Sequence, residues 1–423
     1  MKKIKIAELF AGVGGFRLGL DAASSVNLKY ETVWSSQWEP GATTQHASQI
    51  YKHIFGSNNH SCEDIQEVIE HGFEQVPNHD LLVGGFPCQD YSVARTANQA
   101  KGIQGKKGVL WWSIYNILSK KGKNAPSFLM LENVDRLLKS PSSQRGRDFA
   151  VMLASLADLG YVVEWRVINA ADYGFPQRRR RVFILGYKVG TKAHNLLKKE
   201  KDIRSWILDK GVIARAFPLQ DTASALVEFT IDGDLGEVSE NFSKGRPQKS
   251  PFEISGVMMN RNVYTIKTFP KFKGKFAKLR DIIIHDEDKI PQEFFIKDED
   301  KKKWEYLKGG KKEKRKSKDG FEYHYAEGPM VFPDSLDKPS RTIVTGEGGG
   351  SPSRFKHVIE TKSGRLRRLT PLELERLNMF PDNHTKVMEG GKLTPDVKRA
   401  FIMGNALVVG VIQRLGSALL GFI

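Results

Sequence analysis

The chain has 423 residues and a mass of 47.7 kDa, with 66 Lys+Arg against 49 Asp+Glu, a formal net charge of +17 and a sequence pI of about 9.6. Hydrophobic residues make up 40%, which excludes a disordered tail and points to two or three folding units with an anionic partner. Two cysteines, Cys62 and Cys88, exclude a disulfide framework or a four-cysteine metal site and fit a reducing cytoplasm.

The N-terminal KIKIAELF alternates in polarity and runs into a glycine-rich turn, unlike the unbroken apolar segment of a signal peptide, so secretion is not expected. From there to about residue 186, strand-like runs (KIKIAELF, YETVWSS, DLLVGGF, SFLMLENV, VVEWRVI and RVFILGY) alternate with helical stretches. That pattern predicts a doubly wound α/β sheet, whose ligands bind at the carboxyl ends of the strands. The first such end is ELFAGVGG, residues 8–15. Glycines there let the backbone turn and approach a ligand, and the helix start offers free N–H groups. The turn by itself fits NAD, FAD or S-adenosylmethionine; its spacing differs from G-x-G-x-x-G, which tilts against a pyrophosphate ligand. Phe10 suits stacking on adenine.

After the second strand comes Ser35-Ser36-Gln37-Trp38-Glu39, where a nucleotide-binding sheet usually offers an acid to ribose hydroxyls; here the acid is displaced to Glu39. Trp38 is either a core aromatic or a wall of an adenosine pocket. Asp64-Ile65 places a carboxylate where an adenine amino group is met, or forms a surface turn. After DLLVGGF stands Pro87-Cys88-Gln89. A buried cysteine is usually inert packing, whereas one on a turn at a strand end is placed to be a nucleophile. The following stretch 95–112, rich in Gly and Lys, is long for a plain loop and reads as a lid. Leu131-Glu132-Asn133-Val134 ends the next strand, and Arg178-Arg179-Arg180-Arg181 precedes VFILG. Four arginines in a row usually mark a solvated or phosphate-binding surface, and strand alternation predicts that Arg179 and Arg181 share a face.

From about residue 188 the pattern loosens: NVYTIKTF, LRDIIIH and FEYHY are strand-like pieces among Gly, Pro and Lys. Residues 301–318 hold ten Lys/Arg against Glu305 and Glu313, a local +8. LTPLELERLNMFP opens with a Thr-Pro helix entry and sets Leu372, Leu374, Leu377 and Met379 toward a core. The apolar tract 406–423 is interrupted by Gln413 and Arg414, falls short of a membrane span and reads as a buried helix. The ten histidines include no HExxH or Cys/His cluster, so no metal is expected.

In order along nearly the whole chain, ELFAGVGG, FPCQ, LENV, QRRRR, RRLTPLELERLNMFPD and MGNALVVGV resemble the motifs of the DNA (cytosine-5)-methyltransferases, bacterial restriction–modification type. The resemblance implies an S-adenosylmethionine-dependent, Rossmann-like methyltransferase domain over residues 1–187, completed by 398–423. A smaller irregular, mostly β target-recognition domain would span 188–397, with 301–318 as a basic insert. It implies Cys88 as the nucleophile, Glu132 as the carboxyl at the base, and Arg179 and Arg181 beside the base oxygen and the thiolate. Cofactor contacts are implied for Phe10, Gly12, Gly14, Gln37, Trp38, Asp64, Ile65, Pro87 and Asn405. Contacts to DNA are implied for Gln89, Ser92, Arg95 and Gln104. The insert is either a solvated loop or a DNA-backbone clamp, and residues 345–350 (TGEGGG) form a DNA-backbone loop. The expected partners are double-stranded DNA and a functionally linked restriction endonuclease, with one chain sufficing, no membrane and a cytoplasmic location.

The chemistry supplies its own reasons for these residues. Carbon 5 of cytosine is a poor nucleophile until a thiolate adds at carbon 6, and addition is helped by a carboxyl group at nitrogen 3. The chain departs from the family at Gln37, where a glutamate is usual, at Glu8 for aspartate and at Ala406 for serine. A transfer-RNA cytosine methyltransferase would carry a Cys-Phe-Thr signature, which is absent. A nonenzymatic relative is disfavoured by the intact Cys88, Glu132, Arg179 and Arg181. An NAD-dependent oxidoreductase leaves the Pro-Cys-Gln, Glu-Asn-Val and arginine motifs unexplained.

Overall fold

The computed structural model describes residues 2–86, 110–245, 249–316 and 322–423. It divides into two compact units, one of Met1–Tyr173, Arg180–Gly274 and Val409–Ile423, the other of Gly174–Arg179 and Lys275–Val408.

The first unit is built on β1 (Lys2–Leu9), β2 (Leu28–Ser36), β3 (His60–Ser61), β4 (Leu81–Gly85), β5 (Phe128–Val134), β6 (Tyr161–Asn169) and β7 (Arg180–Lys188), in spatial order β3-β2-β1-β4-β5-β7-β6. The first five are parallel, and β7 runs antiparallel to both β5 and β6. All six strand-like runs of this region therefore join one sheet. Leu81, Leu82 and Val83 of β4 are fully buried, as strands covered by helices on both faces require. The helices are α1 (Gly15–Ala23), α2 (His46–Phe55), α3 (Ile65–His71), α4 (Leu110–Lys121) and α5 (Arg147–Asp158). Trp111, Ile114 and Ile117 of α4 and Phe149 of α5 share a buried cluster with Ala7, Leu9, Leu82 and Leu129 of the sheet. The C-terminal helix Val409–Leu419 packs against α1.

Three further strands correct the expected boundary at residue 187. β8 (Val227–Thr230), β9 (Ser255–Met259) and β10 (Asn262–Ile266) extend the sheet to ten strands, with β9 antiparallel to β6 through Val163↔Met258. Pairing with β9 covers an edge that β6 would otherwise expose. Two buried charges on β6 fasten the intervening chain. Glu164 accepts hydrogen bonds from Tyr187 Oη (2.7 Å), Trp206 Nε1 (2.9 Å) and Ile213 N (2.8 Å), and Arg166 donates to the carbonyls of Ile207 and Phe217. A buried charge left unsatisfied would be costly, so residues 188–274 stay with the first unit.

The second unit is made of short pieces: α6 (Asp298–Lys308), a ribbon of β11 (Lys311–Lys316) and β12 (Glu322–Glu327), a second ribbon of β13 (Val358–Glu360) and β14 (Leu366–Arg368), then α7 (Pro371–Leu377) and α8 (Asp396–Asn405). NVYTI forms β10 in the first unit. LRDIIIH is no strand; its Leu279–Asp281 turn is closed by the Asp281 carboxylate accepting from Lys278 N. Thr370 caps α7 in a capping box with Glu373. The expected apolar face of α7 is only half right: Leu374 and Leu377 are buried, but Met379 is 39% exposed at φ 62°. The other inward places go to Glu373 and Glu375, because Arg367 (2.7 Å) and Arg399 (3.0 Å) neutralise them there. The segment Asp396–Phe422 is long and apolar enough to cross a membrane by length and composition. Residues 406–408 break it into α8 and the C-terminal helix, whose Val411, Ile412 and Leu415 are buried.

Candidate active site

The strand order reverses between β1 and β4, because the chain moves outward from β1 to β2 and β3 before β4 returns to the other side of β1. Open α/β sheets bind ligands in the crevice at such a reversal. Leu9 pairs with Gly84, so the turn after β1 and the segment after β4 leave the sheet side by side.

On the β1 side, Ala11 N donates to Ser36 O and Gln37 N to Ser61 O, each at 3.0 Å. These bonds keep the ends of three strands, with Phe10–Gly12, Gln37–Trp38 and the approach to Asp64, in one row. Gly14 caps α1 at φ +84°, and a side chain there would run into the Phe55 ring. Gln37, 8% exposed, accepts from Gly12 N at 2.7 Å and so holds the turn itself. Trp38 is 37% exposed, which rules out the core-aromatic reading, whereas Phe10 packs partly buried against the core. Asp64 caps α3, its Oδ1 accepting from Gln66 N at 2.9 Å, and Ile65 is buried. Asn405 is an exposed residue at the end of α8 in the second unit.

On the β4 side the two glycines are explained by close approach. A Cβ on Gly84 would sit 2.8 Å from Leu9 O, and one on Gly85 would sit 3.2 Å from Glu132 Oε2. Gly85 pairs with Glu132 across β4 and β5, and Val134 with Arg181 across β5 and β7. Arg181 Nε lies 2.9 Å from Glu132 Oε1, both side chains being largely buried. Asn133, on the opposite face of β5, donates from Nδ2 to Phe86 O at 2.8 Å and accepts from Val134 N at 2.8 Å. It fastens the chain at the point where residues 87–109 begin. Sequence reasoning quoted Asn133 without giving it a role, and nothing in its spacing signals one. Pro87, Cys88, Gln89, Ser92, Arg95 and Gln104 lie outside the described residues.

Arg178 and Arg180 are exposed whereas Arg179 is buried and Arg181 largely buried, the alternation the sequence predicts, although β7 itself begins at Arg180. Arg179 belongs to the second unit, is 2% exposed, and donates to the carbonyls of Ile343 (3.2 Å) and Gly404 (2.9 Å). Arg180 points outward and pairs with Asp135 at 2.7 Å.

The model of one protein family, C-5 cytosine-specific DNA methylase, matches residues 4–421. The chain belongs to that family. The methylase is 48% identical to the Type II methyltransferase M.Sau3AI of Staphylococcus aureus over 421 residues, 99% of this chain and 95% of that one. It is 36% identical to the Type II methyltransferase M.NgoBI of Neisseria gonorrhoeae over 183 residues, 43% of this chain and 50% of that one. Among solved structures, the S. pombe Dnmt2 methyltransferase matches with a TM-score of 0.59 at 15% identity, over 99% of this chain and 98% of that one, a likeness of fold. The fold is thus the α/β methyltransferase fold, and the enzyme is a DNA (cytosine-5)-methyltransferase.

One residue of the methylase that the sequence shows only as a departure from the family pattern is a buried acid. Glu8, at the end of β1 beneath the glycine turn, is fully buried; it accepts from Tyr51 Oη at 2.9 Å, and its Oε1 has no hydrogen-bond partner among the described residues. Burial pushes its carboxyl up to about 7 against the pull of Tyr51 and Arg17. Tyr51 in turn stacks on His60, whose ring nitrogens bond Ser35 (2.8 Å) and Ser48 (2.9 Å).

Proposed function

We propose that this methylase modifies carbon 5 of a cytosine flipped out of a specific duplex sequence, through a covalent adduct between Cys88 and carbon 6. In this reading it is the modification enzyme of a restriction–modification system, monomeric and cytoplasmic, sharing its target sequence with a separate endonuclease. The observation that carries it is the Glu132–Arg181 pair, set beside Gly85 where the chain leaves β4 three residues before Cys88. The likeness to a Type II methyltransferase over nearly the full length of both chains supports the biological role.

Carbon 6 is shielded inside the base stack, so the target base must leave the duplex before the sulfur reaches it. The Cys88 thiolate forms the C6–S bond, and the electron pair displaced from the C5–C6 double bond is drawn toward nitrogen 3. Glu132 holds a proton at nitrogen 3, which stabilises the charge arriving there. Arg181 fixes the orientation of Glu132 and sets a cation near the carbonyl oxygen of the base. Carbon 5, now part of an enamine, is nucleophilic. After methylation, carbon 5 gives its proton to water, nitrogen 3 returns its proton to Glu132, the C5–C6 double bond re-forms and the thiolate leaves, regenerating Cys88. Arg179 is the second arginine of this reading, beside the base oxygen and the thiolate, and its donors also hold the backbone at Ile343 and Gly404.

The methyl donor is S-adenosylmethionine, which supplies an electrophilic methyl group when bound. The turn over β1 fits it: a Cβ built on Gly12 meets nothing within 4 Å, and Trp38 offers exposed apolar surface beside it in the row. Phe10, Gly12, Gly14, Gln37, Trp38, Asp64, Ile65, Pro87 and Asn405 would hold it, with Gln37 bracing the turn. Gln89, Ser92, Arg95 and Gln104 meet the DNA, and the second unit carries target recognition.

The test is transfer of labelled methyl from S-adenosylmethionine to unmethylated genomic DNA, followed by bisulfite sequencing. The wild-type enzyme is expected to mark cytosines in one short motif, and Cys88→Ala to transfer none while melting as wild type does. Turnover by Cys88→Ala, or label on transfer RNA in place of DNA, would overturn the proposal.

A further inference from the structure

The glycine loop of residues 345–350 is held by buried side chains and has open space at two of its glycines. Gly349 O accepts from Lys356 Nζ and Arg368 Nη1, each at 2.9 Å, and a Cβ on Gly348 would sit 2.8 Å from Val397 Cα in α8. A Cβ on Gly346 or Gly350 would meet nothing within 4 Å. Glu347 turns inward from the loop to His357, the residue before β13: its Oε1 lies 2.7 Å from His357 Nδ1, and its Oε2 accepts from His357 N at 3.0 Å. His357 Nε2 lies 2.9 Å from Ser340 Oγ, and all three residues are buried.

Ser340 carries these contacts into the segment that ends in Arg179. Its N donates to Pro176 O and its O accepts from Arg178 N, each at 2.8 Å, across a parallel bridge between Gln177 and Ser340. Three residues on, Ile343 N donates to Gln177 Oε1 at 2.9 Å and Ile343 O accepts from Arg179 Nη1 at 3.2 Å. The other acceptor of Arg179, Gly404 O, packs against the same stretch, since a Cβ on Gly404 would sit 2.5 Å from Thr345 N. Both carbonyls that aim the guanidinium thus lie where the loop begins.

Serine, histidine and an acid in this order also make a hydrolase triad, but such a serine must stand beside its substrate and give up its proton. Ser340 is 2% exposed and its Oγ donates to Arg341 O at 2.7 Å, which leaves a substrate no way in. Burying an acid, an imidazole and a hydroxyl together is costly unless each is bonded, and a fully bonded network fixes one arrangement of the chain. We propose that Glu347, His357 and Ser340 are positioning residues for Arg179, linking its aim to the glycine loop, so that the rate of methyl transfer and not the affinity for DNA depends on them. The relay presupposes the reading in which Arg179 stands beside the target base.

The test is a double-mutant cycle on the whole chain, pairing Ser340→Ala with Arg179→Lys, which keeps the cation but lacks the fork that spans two carbonyls. Single-turnover methyl transfer is measured at saturating S-adenosylmethionine on a duplex carrying the motif found by bisulfite sequencing, with DNA affinity by fluorescence anisotropy and thermal melting alongside. Ser340→Ala is expected to slow transfer roughly tenfold to a hundredfold, with DNA affinity within about twofold of wild type. In the Arg179→Lys background the same change should cost less than about threefold further, because the group it positions is already displaced. Full additivity, an unchanged rate for Ser340→Ala, an Arg179→Lys enzyme as fast as wild type, or a loss of affinity as large as the loss of rate would overturn the proposal. His357→Gln, which keeps a polar group toward Ser340 and withdraws the one facing Glu347, repeats the cycle with the same expectation and carries the test if Ser340→Ala does not fold. Wild-type transfer is scored first. Its failure would strike the functional reading, whereas transfer with additive losses would strike the relay alone.

Discussion

Glu132 is held by the Arg181 guanidinium at 2.9 Å, and Gly85 leaves room for its other oxygen, which a Cβ there would approach to 3.2 Å. A carboxyl fixed this firmly can hold a proton at one ring atom, and its removal tests the chemistry more sharply than the fold. Glu132→Gln keeps the shape and a partner for Arg181 but loses the acid. Single-turnover methylation should slow by roughly 10²- to 10⁴-fold with DNA affinity nearly unchanged; an unaltered rate would remove Glu132 from the mechanism. At this scale Glu132 and Arg181 stand out in the sequence because each lies in a short motif, LENV and QRRRR, and the structure brings the two together at 2.9 Å, whereas Cys88 lies outside the described residues. Which arginines face inward was legible by alternation, but the partners of Arg179, the carbonyls of Ile343 and Gly404, were not, because they lie more than 160 residues away in the chain. Asn133 and Glu8 were illegible in role, since their partners Phe86 and Tyr51 are distant in sequence.

β1 illustrates how an element carries more than its pattern. Its alternation puts Glu8 on the inward face at the point where the glycine turn begins, and burial there raises the carboxyl to about 7 from 4.5. The folded chain therefore keeps a proton that the unfolded chain has lost. This contribution to stability is complete below about pH 4.5 and disappears as the pH rises through about 7, a change on the order of 3 kcal/mol. Glu8→Gln lacks that titration, so denaturant unfolding should find the variant gaining about 3 kcal/mol relative to wild type between pH 4 and pH 8. A difference independent of pH would refute the assignment. His60, lowered to about 4 by burial, titrates in the opposite sense, but it does so in both proteins and drops out of the comparison. Element type was readable wherever apolar runs were long, as in β4 and β5. LRDIIIH misled because its isoleucines follow a turn closed by Asp281.

The first unit depends on its last residues. Tyr30 Oη donates to Gly416 O at 2.8 Å, and Gly19 lets α1 approach so closely that a Cβ there would lie 2.6 Å from Ile412 Cβ. Ending the chain after Val408 removes this cover from α1 and exposes Leu20 and Tyr30. Thermal unfolding followed by circular dichroism should then lose its cooperative transition or shift it down by more than 10 °C, about what losing a few kcal/mol of apolar burial does. An unchanged melt would show the helix to be dispensable.

By itself the sequence determined the fold class, the order of the sheet-forming runs and the motifs at the strand ends, because alternation, glycine turns and reactive side chains are properties of contiguous residues. Only the tertiary structure decided that β8, β9 and β10 extend the sheet, that Arg179 donates to the carbonyls of Ile343 and Gly404, and that the lysine run forms a helix and a ribbon. Each of those outcomes depends on satisfying buried charges and strand edges with partners far away in the chain, and no local pattern records where such a partner will be.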